Sequence, residues 1–278
     1  MQQLKSNQQL SDFARSTDVG LIPTMGALHS GHSSLIKCAR EKNQCVIVSI
    51  FVNPLQFNNS DDLTNYPRTL DTDLALLEQL GVDAVYLPEY ADIYPANDLS
   101  PQVSGGEAAK NFEGAARPGH FDGMLAVVYR LLKQVNPSHA YFGEKDAQQL
   151  CLVSNMVIEY QLDVEIVACA IVRDADGLAL SSRNALLSAT ARNPALLLSK
   201  SLIQAHRLHQ AGENDVKDLL AAMMQTLAVP EVDIRYCAIV DDVTFVEREN
   251  AVKHPSRAII AAVVDGVHLL DNVLLTSK

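Results

Sequence analysis

PTMGALHSGHSSLI, residues 23–36, lies where a short apolar run at 19–22 gives way to a helical pattern. It sets His29 and His32 around Gly31 at a strand-to-helix turn. A helix start presents unpaired backbone N–H groups and the positive end of the peptide dipole, a natural seat for a phosphate. Two imidazoles three residues apart add donors on the same side, and Gly31 lets a bulky anion approach the backbone. By itself His-x-Gly-His also reads as an ordinary corner with incidental histidines. Its place at the first β-to-α turn gives it weight.

Working outward, strand and helix signals alternate through the first two thirds of the chain. The strand at 19–22 is followed by a helix over 33–42, and CVIVSIFV at 45–52 is the β-branched run of a strand buried on both faces. Leu70, Leu74, Leu77 and Leu80 keep helical spacing, with Gly81 as a stop before a strand at 83–87. Met124, Val127, Val128, Leu131, Leu132 and Val135 mark another helix face, ahead of Pro137 and a strand at 139–142. A helix over 146–159 leads into EIVACAIV at 165–172, read as one strand. The alternation predicts an α/β fold, a doubly wound parallel sheet with helices on both faces. Its ligand crevice is expected beyond the carboxyl ends of the strands. After Arg183 the pattern changes to a helical stretch over 185–210 interrupted at Pro194, a turn at AGEND, a helix over 216–227 and three strand-like runs in hairpin order. That is a smaller α+β domain. The expected division is 1–172 and 173–278, in line with two domains for 278 residues.

A formal charge of −11 argues against a broad nucleic-acid footprint, which needs a basic face. A focused basic pocket for an anionic substrate remains compatible with it. The five cysteines form no Cys-x-x-Cys pair and sit mostly in apolar runs, as small buried side chains do. The opening residues are polar, and no apolar run is long enough to span a bilayer. A cytoplasmic protein without membrane or nucleic-acid partners is expected.

Further polar motifs follow the predicted strands. In FVNPLQF, Asn53 and Gln56 are neutral amides able to read hydroxyls and carboxylates, although Asn-Pro also simply starts turns. YPRTLDTD supplies Tyr66 and two carboxylates that suit a helix N-terminus; one of them, Asp73, is also a candidate ligand for Mg²⁺. FEGAARPGHFDG carries Glu113, Arg117 and His120 in a loop costly to order without a ligand. In FGEKDAQQL, Lys145 can reach a phosphate and Asp146 can accept from ribose hydroxyls or cap the helix, with Gln149 one turn further. VRDADGLALSSRN ends in Ser181, Ser182 and Arg183, suited to a departing pyrophosphate.

PTMGALHSGH, FVNPLQF, YPRTL, RPGHFDG, FGEKDAQQL and DGLALSSRN, in this order, closely resemble the pantothenate synthetase (pantoate–β-alanine ligase) family, and the final HLLDN resembles its C-terminal end. The resemblance implies a Rossmann-like, nucleotidyltransferase-like fold of the His-x-Gly-His type. It implies ATP-dependent condensation of pantoate with β-alanine through pantoyl adenylate, with Mg²⁺, in a homodimer formed by the first domain. It implies that His29, His32, Lys145 and Arg183 act in catalysis. ATP would be held by Met25, His29, His32, Gly143, Lys145, Asp146, Val172, Ser181, Ser182 and Arg183, and pantoate by Met25, Gln56 and Gln149. Asn53, Tyr66, Glu113, Arg117 and His120 match other pocket residues. Residues 1–172 would bind ATP and pantoate, and 173–278 would form a lid opening with the Ser-Ser-Arg loop. The chain departs from the family pattern at Ser30, where an acidic residue is frequent, and before Val19, where no opening strand is legible. A nucleotidyltransferase acting on a phosphorylated acceptor would share the His-x-Gly-His turn but is not expected to carry FVNPLQF with GEKDAQQL. A non-catalytic ATP-binding protein would show a degenerate phosphate loop.

Overall fold

Alternate residues of the parallel strands bury themselves in two separate apolar clusters, which is what a sheet covered on both faces requires. The computed structural model describes residues 1–13, 18–253 and 255–276. Its first sheet comprises β1 (Gln2–Leu4), β2 (Val19–Thr24), β3 (Cys45–Ile50), β4 (Ala84–Tyr86), β5 (His139–Gly143) and β6 (Glu165–Cys169). The order is β1-β4-β3-β2-β5-β6, with every pairing parallel. Leu21, Ile47, Ala140 and Phe142 face one cluster, closed by Leu10 and by helices His120–Val135 and Ala147–Glu159. Ile22, Val46, Val48 and Tyr141 face the other, closed by Ile36 and Ala39 of helix Ser30–Lys42 and Leu77 of helix Leu70–Gln79. The doubly wound α/β expectation holds.

The second sheet is antiparallel, β7 (Asp233–Asp241), β8 (Ser256–Val264) and β9 (Val267–Leu275) in sequential order. Helices Arg192–Gln210 and Val216–Leu227 pack on it through Leu202, Ala205, Leu219 and Met223. By internal contacts the chain forms two compact units: Met1–Glu144 with Gln148–Ala170, and Lys145–Ala147 with Ile171–Lys278.

Several elements differ from expectation. An opening strand is present after all: β1 pairs with β4, and only Leu4 of its three residues is buried. The strand expected over 165–172 ends at Cys169, and Ile171 already belongs to the second unit. The helix expected from 185 starts at Arg192, with a 3₁₀ turn at Ser182–Leu186 before it. Pro194 therefore lies in the first turn, where a missing N–H costs nothing, and it interrupts no helix. Helix Ser30–Lys42 begins three residues early because His29 caps it.

Strand order dictates where a site can form. From β2 the chain steps outward through β3 to β4, then returns to place β5 on the other edge of β2. The connections leaving β2 and β5 diverge there, which opens a crevice at the carboxyl ends. Packing behind it is tight: a Cβ on Gly123 would stand 2.2 Å from the Leu55 carbonyl oxygen and 2.8 Å from the Gln56 nitrogen. Gly123→Ala should cost about 2–3 kcal/mol by overpacking, read as a lower Tm and denaturant midpoint. Gly143→Ala, with nothing within 4 Å of the added carbon, should stay within about 0.5 kcal/mol.

Candidate active site

His29 occupies the cap of helix Ser30–Lys42, a place usually taken by Ser, Thr, Asp or Asn. Its Nδ1 accepts from the Gly31 N–H at 3.1 Å, and the His32 Nδ1 accepts from the His29 N–H at 3.2 Å. The pair forms a capping box in which both side chains are imidazoles, with ring centroids 4.2 Å apart. A ring nitrogen that accepts from an amide carries no proton. Each neutral ring therefore holds its proton on Nε2, at the edge away from the cap. Histidine at both positions satisfies the helix start and adds two side-chain donors to it. Gly31 has to be glycine, since a Cβ there would sit 2.8 Å from the His29 ring.

The loop before this cap is bent. Gly26 and Ala27 have φ of +84° and +51°, the left-handed region that is costly for Ala. Asp73, 2% exposed in the first turn of helix Leu70–Gln79, receives both following amides: Ala27 N–H on Oδ2 and Leu28 N–H on Oδ1, each at 2.9 Å. Thr69 Oγ1 donates to the same carboxylate at 3.2 Å. Both oxygens of Asp73, the candidate Mg²⁺ ligand of the sequence, are thus engaged by the loop and by Thr69. Among the described residues no group of three or more His, Cys, Asp or Glu could hold a metal ion. Met25, half-buried, is the first residue of this loop.

Asn53 and Gln56 follow β3 and are buried. The Asn53 amide has one allowed orientation. Its Nδ2 donates to the Gly123 carbonyl at 2.9 Å, and its Oδ1 accepts from the Leu55 N–H at 3.3 Å and from Tyr94 Oη at 2.9 Å. Burial, the largest influence, pushes the Tyr94 phenol up to about 12, so it remains a donor at neutral pH. The Arg130 guanidinium stacks 4.8 Å from the Tyr94 ring centroid and is paired with Asp98. Gln56 Oε1 accepts from Asn53 Nδ2 at 3.2 Å, which leaves its NH₂ as the group it can offer a ligand. His120 Nδ1 donates to the Gln56 carbonyl at 2.8 Å, and its Nε2 faces Arg117 Nη1 at 3.4 Å. Tyr66 packs edge-on against Phe57. Glu113 opens a four-residue helix, its N–H donating to Gln148 Oε1. Gln149 is half-buried on helix Ala147–Glu159, and Gly143 ends β5.

The second unit brings another set together. Lys145, Ser181, Arg183, Asn184, His268 and Asp271 line one cleft. The Lys145 carbonyl accepts from Asn272 Nδ2 at 3.0 Å, and Asn272 is itself held by Arg257. Ser181 Oγ caps the turn carrying Ser182 and Arg183, and both of these are exposed. Asp271 is paired bidentately with Arg173 at 2.6 and 2.9 Å. Asp146 is exposed, 3.6 Å from the Lys145 ammonium, and Val172 is half-buried with its carbonyl held by Leu180 N–H. Motif reading gave no role to Thr69, Tyr94 or Asn272, although Thr69 lies in YPRTL and Asn272 in HLLDN; Tyr94 carried no signal.

A histidine-capped helix start at the switch point of a parallel sheet defines a Rossmann-like α/β protein of the nucleotidyltransferase-like, His-x-Gly-His class. Comparison makes this specific. The family model described as pantoate-beta-alanine ligase matches residues 1–274, and the chain belongs to that family. It is 47% identical over 258 residues to a pantothenate synthetase of Acidobacterium capsulatum, covering 92% of this chain and 86% of that one. Its structure is similar to pantothenate synthetase from Thermus thermophilus, with TM-score 0.91, 40% identity and 99% of each chain covered. It is also similar to the pantoate-beta-alanine ligase of Francisella tularensis complexed with beta-gamma ATP and beta-alanine, with TM-score 0.75 and 35% identity over 99% and 98% of the two chains.

Nitrogen-15 spectra of the imidazoles should show both His29 and His32 as Nε2–H tautomers at neutral pH. A Nδ1–H signal from either ring would break the cap assignment. His29→Ala should lower stability by about 1 kcal/mol through the lost cap, and His29→Asn, which can still accept the Gly31 amide, should recover most of it.

Proposed function

We propose that this chain condenses pantoate with β-alanine at the expense of ATP through a pantoyl-adenylate intermediate. The observation that carries the reading is the family match over residues 1–274, supported by the histidine-capped helix start that follows β2 at the switch point of the sheet. In the first step a pantoate carboxylate oxygen attacks the α-phosphorus of ATP, and the bond to the β-phosphate oxygen breaks to release pyrophosphate. In the second step the β-alanine amine attacks the acyl carbon, loses a proton, and displaces AMP to leave the amide.

The residues suit this chemistry because it demands positioning and charge stabilisation rather than a protein nucleophile. The Nε2–H groups of His29 and His32, with the helix start beneath them, stabilise negative charge building on the α-phosphate. Lys145, Ser181, Ser182 and Arg183 take the β- and γ-phosphates and the departing pyrophosphate. Gly143, Asp146 and Val172 line the adenosine, and Met25 borders both substrates. Gln56, its amide oriented by Asn53, donates to pantoate together with Gln149; Asn53, Tyr66, Glu113, Arg117 and His120 complete the pocket. Residues 1–172 bind ATP and pantoate, and 173–278 act as the lid that keeps water from the labile adenylate.

Mg²⁺ enters with the nucleotide. It is a hard ion that keeps several waters and phosphate oxygens as ligands. The working enzyme is a cytoplasmic homodimer, assembled through the first domain. No helix among the described residues is long and apolar enough to cross a membrane.

Pyrophosphate release should require pantoate and ATP but not β-alanine, and AMP should appear once β-alanine is added. Release indifferent to pantoate would end this reading. His29→Asn should fold with near-normal stability yet lose about 10²-fold or more in turnover, as expected for removing a donor to the transition state. Near-normal turnover in that variant would remove His29 from the mechanism.

A further inference from the structure

We propose that Asp73 is a positioning residue for adenylation: its carboxylate clamps the bent loop and so fixes where His29 and His32 present their Nε2–H groups. The inference rests on the functional reading above and deepens it.

The geometry has three parts. First, one carboxylate receives two adjacent backbone amides, one per oxygen, both at 2.9 Å. Two successive left-handed residues turn those amides to the same side, where no strand or helix partner can accept them. Second, the loop is built against the clamp: a Cβ on Gly26 would lie 3.1 Å from Asp73 Oδ2 and 3.2 Å from Ile50 Cγ2. Third, Leu28, the second clamped residue, directly precedes the cap His29. A shift at Leu28 therefore moves the cap, the first helical turn and both rings together.

The same contacts explain why the anchor is an aspartate. An acid beside a phosphate site would ordinarily repel its ligand. Here the carboxylate is buried, sits in the first turn of helix Leu70–Gln79 where the dipole favours an anion, and accepts hydrogen bonds from two amides and the Thr69 hydroxyl. Asparagine fills the same volume but sets an NH₂ group against one of the two amides. The loop must then relax, and a displacement of about 1 Å in a catalytic group can cost on the order of 10²-fold in rate.

The test is Asp73→Asn in the full chain, with circular dichroism and Tm to establish folding. Pantoate-dependent pyrophosphate release should lose about 10- to 100-fold in kcat, with KM for β-alanine and the half-saturating Mg²⁺ concentration unchanged. In amide spectra, Ala27 and Leu28 should shift upfield and exchange faster, and the ring resonances of His29 and His32 should move with them. A folded variant with kcat within about threefold of the parent overturns the proposal, as does a raised Mg²⁺ requirement, which would make Asp73 a metal ligand. If the parent chain released no pyrophosphate with pantoate, the functional reading would fail. The spectra would then decide the clamp by themselves: coupled shifts support it, and unmoved histidine rings overturn it. Should Asp73→Asn not fold, Gly26→Ala loads the same clamp from the loop side and must give the same loss of kcat; unchanged kcat there also overturns the proposal.

Discussion

β2 is hydrogen-bonded to β3 along one edge and to β5 along the other, and both its faces are covered by helices. Polar side chains in the body of such a strand would be buried without water, so chemistry can gather only at its ends. All the pairings are parallel, so the segments leaving β2, β3 and β5 emerge on one side. That places the loop from Met25 to His32, the Asn53–Gln56 turn and the end of β5 at the same edge of the sheet. Asp73 joins them from the helix between β3 and β4. The divergence of strand order around β2 then keeps this edge open.

The constraint also separates what could be read in the chain from what could not. CVIVSIFV was legible because burial on both faces demands a run of β-branched residues, and the leucines from 70 to 80 because one helix face must pack. β1 was not legible: Gln2 and Gln3 are exposed, and their strand exists through pairing with Ala84–Tyr86 rather than through composition. Pro194 misled because a proline in a first turn and one in a helix interior look alike until the helix start is known. Candidate residues could be found by type and by their place after strands, but their partners lie far off in sequence. Asp73 meets Leu28 across 45 residues, Tyr94 meets Asn53 across 41, and Asn272 meets the Lys145 carbonyl across 127. Local periodicity holds no information about such contacts.

Net charge is an equally poor guide to the site. The chain carries a formal −11, yet several carboxylates near the candidate residues are engaged in place. Asp73 is held by amides, Asp271 by Arg173, and Asp174 and Asp176 by Arg192. The histidines at the helix start have their Nδ1 atoms engaged by backbone amides. At short range fixed dipoles of this kind outweigh a diffuse acidic surface, which salt screens.

Each dipole is aimed by a partner whose sense cannot be reversed. A backbone N–H can only donate, so the Nδ1 atoms of His29 and His32 accept and the protons lie on Nε2. A carbonyl can only accept, so Gly123 fixes Asn53, Asn53 fixes Gln56, and the Gln56 carbonyl in turn fixes the His120 tautomer. Under the proposed function none of these groups must rotate as charge develops, so the reorganisation that water would need is absent when the α-phosphorus is attacked. Fixed donors of this kind favour the transition state over the ground state only while they stay within a few tenths of an ångström of their places. The buried contacts behind them, although they touch no substrate, therefore belong to the same argument as the histidines they hold.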